Sequence, residues 1–497
     1  MSRPLRFHPL LISATLLLLL AQGACSRAPQ PRIGGAPAAP PSASEPWRAP
    51  RGVVPPEPRP GDDAANALPP EIAPRRDALV LADVVDLALR NNPQTQVSWS
   101  QARAGAASYG AASAAYLPTV DASTNAAYSQ TTVGQTLGGT GTRRSITPAA
   151  TLSYLLLDFG GRSGTVAAAR AAAVALDLTH NATLQNVALQ AEGAYFNFQA
   201  QRALLTAAQL SVAEADTNVN SARQRNRAGV ATIADVLQAE TLLAQAQLDL
   251  ETVEGNLQIA RGSLAVAMGL PANIRYDLAP VSDSIPVSLA AADVDTLINR
   301  ALENRPDLAA ARVQIEQSQA EVRVARSALL PSVSLGSTVS HPYSSQPNAS
   351  GATFGVTVGV AIPIFNLARP YNVMAARAQV DVSAARANLL RTEVAQQVYT
   401  SYYQLRTATQ RSRTADVLLS SALRSEAAAR ARYRAGVGTI LDLVTAQTAL
   451  ASARAQQSQA RWVWATSLAQ LSHDVGVLGP RGETGIPLAA DSTGIRR

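Results

Sequence analysis

The chain is written twice, and nothing else in it limits the possible folds so strongly. Ala88-Leu89-Arg90-Asn91-Asn92-Pro93 returns as Ala301-Leu302-Glu303-Asn304-Arg305-Pro306, and Leu117-Pro118 returns at the same offset as Leu330-Pro331. Further on, Arg227-Ala228-Gly229-Val230 returns as Arg434-Ala435-Gly436-Val437, with Thr232, Ile233 and Asp235 answering to Thr439, Ile440 and Asp442. Three landmarks kept in one order identify a single supersecondary unit built twice.

Each copy has the same internal plan. A short helix is expected over Leu81 to Asn91 and again over Val294 to Asn304. Pro93 and Pro306 then suit the first position of a second helix, where the missing N–H has no intrahelical partner to lose. That helix should stop at the Leu-Pro pair, because the residue before proline is pushed out of the helical region. Beyond it the period changes to two. Phe354, Val356, Val358, Val360 and Ile362 alternate with Thr353, Gly355, Thr357, Gly359 and Ala361, and Leu152, Tyr154 and Leu156 alternate with Thr151 and Ser153. Weaker partner strands are read over Thr119 to Tyr128 and Ser332 to Ser340. Segments of about ten residues have the length of a tilted transmembrane strand. Thr132 to Ser145 and His341 to Ser350 read as exposed loops, with Tyr128 and Tyr343 as interfacial anchors near the strand ends. Two long helices follow, one from Arg162 to Asn226 without proline, the other from Arg369 to Tyr433 with Pro370 tolerated in its first turn. At roughly 100 Å each they are too long for an ordinary globular helix and point to coiled-coil packing. Shorter helices run from Thr232 to Met268 and from Thr439 to Val475.

Composition removes several function classes. Hydrophobic residues make up 47% of the chain but aromatics only 4%, and much of the remainder is alanine. Alanine lets helices approach closely yet buries little area, so stability must come from extended packing or oligomerisation. The formal charge is +7 with arginine as the only basic residue type apart from histidine, but the arginines are scattered and no nucleic-acid motif is present. Cys25 is the only cysteine, and His8, His180, His341 and His473 lie far apart, which leaves no paired metal ligands. No Ser-His-Asp grouping, HExxH or Walker loop is visible, so no cofactor and no enzyme chemistry is called for.

The N-terminus reads as a signal for export. Arg3 and Arg6 precede an apolar Leu10 to Leu20, too short to span a bilayer, and Gly23 and Ala24 precede Cys25. The pattern resembles a bacterial lipoprotein signal, in which Cys25 becomes the acylated first residue, although Gln22 stands where such signals carry an apolar side chain. Ordinary cleavage after Gly23 or Ala24 is the other reading. The expected organisation is a signal peptide at 1–24, a lipidated Pro/Ala-rich tether at 25–78, a first repeat at 79–291, a second at 292–475 and a flexible tail at 476–497. Within the repeats, strands fall at about 118–157 and 331–364 and helical hairpins at about 162–269 and 369–475. No later apolar run is long enough for a transmembrane helix, so a membrane crossing would require a closed β-barrel.

Between the paired helices lies Arg-x-Arg-Ala-Gly-Val-x-Thr-Ile-x-Asp, at Arg225 to Asp235 and at Arg432 to Asp442. Gly229 and Gly436 suit a left-handed helix end, Thr232 and Thr439 the next N-cap, and Asp235 and Asp442 its reciprocal partner. As local structure this is a tight turn between antiparallel helices.

The helix starts at Asn92-Pro93 and Arg305-Pro306, the Leu-Pro pairs, Leu157-Asp158-Phe159-Gly160-Gly161-Arg162 and the two Gly-x-x-Thr-x-x-Asp tips together resemble the TolC-like outer-membrane efflux family over roughly residues 79 to 475. The resemblance implies a homotrimer in the outer membrane that extends into the periplasm. Each protomer would give four strands to a twelve-stranded barrel, continued by a helical coiled-coil tube. The tips, with Arg227, Gly229, Val230, Arg434, Gly436 and Val437, would face a periplasmic adaptor protein and an inner-membrane pump of RND, ABC or MFS type. It also implies a gate in which Asp442 rings the pore constriction and Tyr433 bonds Asp235 between neighbouring helix pairs. Thr445 stands where the family pattern has a second ring aspartate, and Gly438 where it has a gate arginine. The implied function is a passive export duct for efflux or type I secretion. A periplasmic enzyme lacks its catalytic residues here, and a simple coiled-coil spacer would need no strands.

Overall fold

The computed structural model describes residues 76–133, 139–280, 293–344 and 351–478, together with residue 74 and the short pairs Arg32–Ile33 and Ala36–Pro37. The chain divides into two units, Met1–Ala67 and Leu68–Arg497. In the first, Arg32–Ile33 pairs antiparallel with Ala36–Pro37. The signal, Cys25 and residues beyond 478 lie outside the described residues.

The second unit repeats one plan. Helix α1 (Leu81–Asn91) leads to α2 (Pro93–Ser113), strands β1 (Thr119–Val133) and β2 (Gly139–Leu157), and helices α3 (Gly161–Arg227) and α4 (Ile233–Ala267). The second copy gives α5 (Val294–Asn304), α6 (Pro306–Ser327), β3 (Ser332–Ser340), β4 (Tyr343–Ser344), β5 (Thr353–Ala361), α7 (Ala368–Arg434) and α8 (Ile440–Asp474). Both short helices have the bounds the sequence predicts. Asn92 caps α2 by accepting from Gln94 N at 2.9 Å, with Pro93 at the first position. Both long helices have 67 residues, roughly 100 Å each.

The sheet is antiparallel in the order β1-β2-β3-β5, with β4 pairing β2 beyond the end of β3. Register puts Val120, Leu152, Val339 and Phe354 on one face and Asp121, Thr151, Thr338 and Gly355 on the other. The expected loop at Thr132 to Ser145 is largely strand instead, because the β1–β2 ladder continues to Val133 opposite Gly139. Threonines on both strands favour that extension. The second expected loop likewise opens with β4. Pro148 stands inside β2, where its carbonyl accepts from His341 N at 3.1 Å. Its missing N–H therefore points to the gap between β3 and β4, one of the few places where a strand tolerates proline.

Helices α3 and α7 run uninterrupted, while their neighbours are built from two pieces end to end. Helix α4 ends at Gly269 (φ 73°), whose backbone lies so near Asn91 that an added Cβ would come within 2.5 Å of the Asn91 carbonyl carbon. Helix α8 ends in the same way at Gly476 (φ 75°), against Arg305. Thus α4 stacks on α2, and α8 on α6. The tail expected from 476 onward begins as packed chain, because Leu478 is buried in the first repeat's core beside Leu79, Leu264 and Met268. In the lower half the helices lie in the order α4-α3-α8-α7, with α3 against α8 joining the two copies. Two apolar cores hold the middle. Helix α1 packs Val84 and Leu87 on Val187 and Phe198 of α3, while α5 packs Leu297 on Val394 and Val398 of α7.

Candidate gate at the hairpin tips

Both tips form as their residue types require. Gly229 (φ 76°) and Gly436 (φ 77°) take the left-handed conformation that ends α3 and α7. Val230 N then returns to Arg225 O at 3.0 Å, and Val437 N to Arg432 O at 3.1 Å. Thr232 and Thr439 cap the next helices. Asp235 N donates to Thr232 Oγ1 and Asp442 N to Thr439 Oγ1, each at 3.2 Å, while the two carboxylates accept from the threonine N–H groups at 2.8 and 3.1 Å. Arg227, Gly229, Val230, Arg434, Gly436 and Val437 are all exposed, so the predicted adaptor-facing residues form the free ends of the two hairpins.

The two tips differ in what they bury. Ile233 is 64% exposed, whereas its counterpart Ile440 is 4% exposed and packs with Tyr433 and Leu443. Asp442 is exposed, and its bonds to Thr439, with nearby Arg432 adding to them, hold its carboxyl below the usual carboxylate range. Tyr433 is 6% exposed, and burial pushes its hydroxyl pKa up. The implied bond between Tyr433 and Asp235 is not formed within this protomer. Tyr433 Oη is buried without a hydrogen-bond partner, and Asp235 Oδ2 accepts from Thr232. Tyr433 is instead contacted by Arg225, whose Nη1 donates to the Tyr433 carbonyl at 2.9 Å and whose Cζ lies 4.7 Å from the ring centroid.

Above the tips a polar network joins the two copies. Arg454 of α8 donates twice to Glu214 of α3, at 3.1 Å each, and Asn218 Nδ2 donates to Gln447 Oε1 at 2.5 Å. Gln447 in turn reaches Glu426, which also accepts from Arg430. None of these residues stands out in the sequence, because their partners lie on the other repeat and no motif marks them. Arg225 is part of the duplicated tip motif, but only the fold shows that it crosses to the second hairpin.

The profile of the outer membrane efflux protein family matches residues 84–270 and again residues 297–477. The chain belongs to that family. Protein CyaE of Bordetella pertussis is similar, at 29% identity over 391 residues, covering 78% of this chain and 81% of CyaE. The cation efflux system protein CusC of Escherichia coli K12 is 24% identical over 387 residues, covering 75% of this chain and 80% of CusC. The outer-membrane channel OprN has the same fold with a TM-score of 0.72 at 19% identity, over 81% of this chain and 90% of OprN. As a member of the outer membrane efflux protein family, the chain is a subunit of an export duct of the outer membrane and not an enzyme. Among the described residues no helix is long and apolar enough to cross a membrane, and no group of three His, Cys, Asp or Glu could hold a metal ion.

Proposed function

We propose that three copies close head to tail into one tube, with a twelve-stranded barrel in the outer membrane and a helical conduit below it. The observation that carries this is the sheet. Its apolar face, with Val120, Tyr128, Ile146, Phe354, Val356, Val358 and Val360, is exposed, and among the described residues the outer edges of β1 and β5 pair with no further strand. Such a sheet is stable only when closure removes the edges and lipid covers the apolar side. The helical layer makes the same demand. Helix α4 exposes Leu237, Leu248, Ile259 and Val266 on one flank, and α7 exposes Tyr371, Met374, Leu389 and Tyr399 on the other. Two different unpaired flanks on one protomer suit a heterologous contact that closes as a ring.

In this assembly the polar face of Thr, Ser and Gly residues lines the bore. Asp442 projects from the tip of the second hairpin and supplies a ring of three carboxylates at the aperture, which favours cations. The exposed tips, Val230 and Val437 with Arg227 and Arg434, offer an apolar knob flanked by positive charge to a periplasmic adaptor, and through it to an RND, ABC or MFS pump. Cys25 would carry acyl chains that tether the N-terminus to the membrane. Two measurements test the assembly, mass in detergent and conductance in a planar bilayer. A trimer forming discrete, cation-selective channels is the expected result, and a stable folded monomer without conductance would refute it.

A further inference from the structure

We infer that Arg225 is the latch of the gate, a cation delivered by the first repeat that holds the tip of the second repeat's α7 in place. The inference rests on the channel reading above and adds a residue to it. Three observations carry it. Arg225 crosses from α3 to α7, bonding the Tyr433 carbonyl at 2.9 Å and lying 4.7 Å from the centre of its ring. That carbonyl belongs to the last turn of α7, where it also accepts from Gly436 N at 3.1 Å and where the negative end of the helix dipole favours a cation. The ring it covers is 6% exposed, so the contact is shielded from water.

The second observation concerns position 438. The turn carries glycine there, Gly438. A Cβ at this position would lie 3.0 Å from Arg432 Cβ and 3.2 Å from Tyr433 N, so even the first atom of a side chain would crowd the turn. Position 438 therefore supplies no cation to this contact, and the one that meets Tyr433 comes from the other hairpin. The third observation is the state of the hydroxyl. Tyr433 Oη has no hydrogen-bond partner, so the ring and the main-chain carbonyl form the contact and the hydroxyl does not. For the second hairpin to swing away from the first, Tyr433 must leave Arg225. That gives up one charge-assisted hydrogen bond and one cation–π contact and exposes the ring.

Conductance of the full-length trimer in planar bilayers separates this role from a structural one. Arg225→Met removes charge and donor at similar length, and the open population should rise by roughly tenfold or more, the weight of one charge-assisted hydrogen bond. Tyr433→Leu should act in the same direction. Arg225→Lys keeps the cation without the planar stack and should fall between Arg225→Met and the natural channel. Tyr433→Phe keeps the ring and the main-chain carbonyl and loses only an unbonded hydroxyl, so it should open the channel far less than Tyr433→Leu. Trimer mass and helical circular dichroism show whether each variant has folded. A conducting wild type with an unaltered, folded Arg225→Met channel removes the latch alone. Opening by Tyr433→Phe to the same extent as by Tyr433→Leu would also overturn it, by moving the contact to the hydroxyl. A wild-type trimer that never conducts removes the channel reading and the latch with it.

Discussion

Arg454 holds Glu214 through two parallel hydrogen bonds of 3.1 Å, and the two residues belong to different copies of the repeat. The pair is mostly shielded, with side-chain exposures of 16% and 22%, and Arg430 approaches the same carboxylate at 4.0 Å. A bidentate, partly buried pair contributes more than a surface ion pair, and its loss leaves an uncompensated charge. Glu214→Ala should therefore destabilise the protomer by about 1–3 kcal/mol in denaturant unfolding. A double-mutant cycle with Arg454→Met should return a coupling of the same sign, and strict additivity would show that the bonds contribute nothing between the hairpins.

Glu192 introduces a pH dependence. It is 1% exposed on α3, its Oε1 has no hydrogen-bond partner, and burial pushes its carboxyl from 4.5 up to about 7. A raised folded-state value means that the native protein holds the proton more tightly than the unfolded chain. Stability is therefore full below about 4.5 and falls as pH rises through about 7. The whole loss is on the order of 3 kcal/mol. Glu192→Gln keeps the shape without the charge, and its unfolding free energy should change much less between mildly acid and mildly alkaline buffer. Parallel curves for the two proteins would contradict this.

Glycines at the helix ends should respond unequally. Alanine at Gly229 or Gly436 meets nothing within 4 Å, so it carries only the left-handed penalty of about 1–2 kcal/mol. Alanine at Gly269 carries the same penalty and in addition drives its Cβ to 2.5 Å from the Asn91 backbone. Thermal unfolding should rank Gly269→Ala well below the two tip variants. Equal melting temperatures would mean that the stacked ends are loose.

The sheet faces can be separated with arginine. Val356 lies on the exposed apolar face, opposite Ser337, while Thr357 lies on the polar face, opposite Gly336. If the apolar face meets lipid, Val356→Arg should impair assembly by roughly 2–4 kcal/mol relative to Thr357→Arg. Trimer yield from the two variants reads the difference, and comparable yields would reverse or remove the assigned facing.

Asp442→Asn distinguishes a pore charge from a cap. Asparagine still offers an oxygen to Thr439, so unfolding should hardly change. Cation selectivity, measured as reversal potential in a salt gradient, should fall. An unaltered reversal potential in the variant would leave Asp442 as a helix cap only.

The elements that proved legible are those fixed by local chemistry. Asn92-Pro93 and Arg305-Pro306 mark helix starts by what proline lacks, Gly229 and Gly436 mark helix ends by the conformation they tolerate, and the alternation from Thr353 to Ala361 marks a strand by its period. The strand at Gly139 was hidden because glycine and threonine around a turn look alike whether or not a ladder continues through them. Leu478 was hidden because one leucine in a polar segment carries no period, although it fills the first repeat's core. At the gate, the caps on Thr232 and Thr439 could be read within seven residues of chain. The reach of Arg225 to Tyr433 could not, because it depends on how two long helices lie side by side.

The stacked ends at Gly269 and Gly476 have a mechanical consequence. In each copy a continuous rod, α3 or α7, runs beside a spliced one, α4 on α2 or α8 on α6. A splice transmits compression but little bending or torque, since no backbone hydrogen-bond ladder crosses it. Were the tips to bend, the spliced rods would give at Gly269 and Gly476, while α3 and α7 would flex along their whole length and carry the load into the upper half.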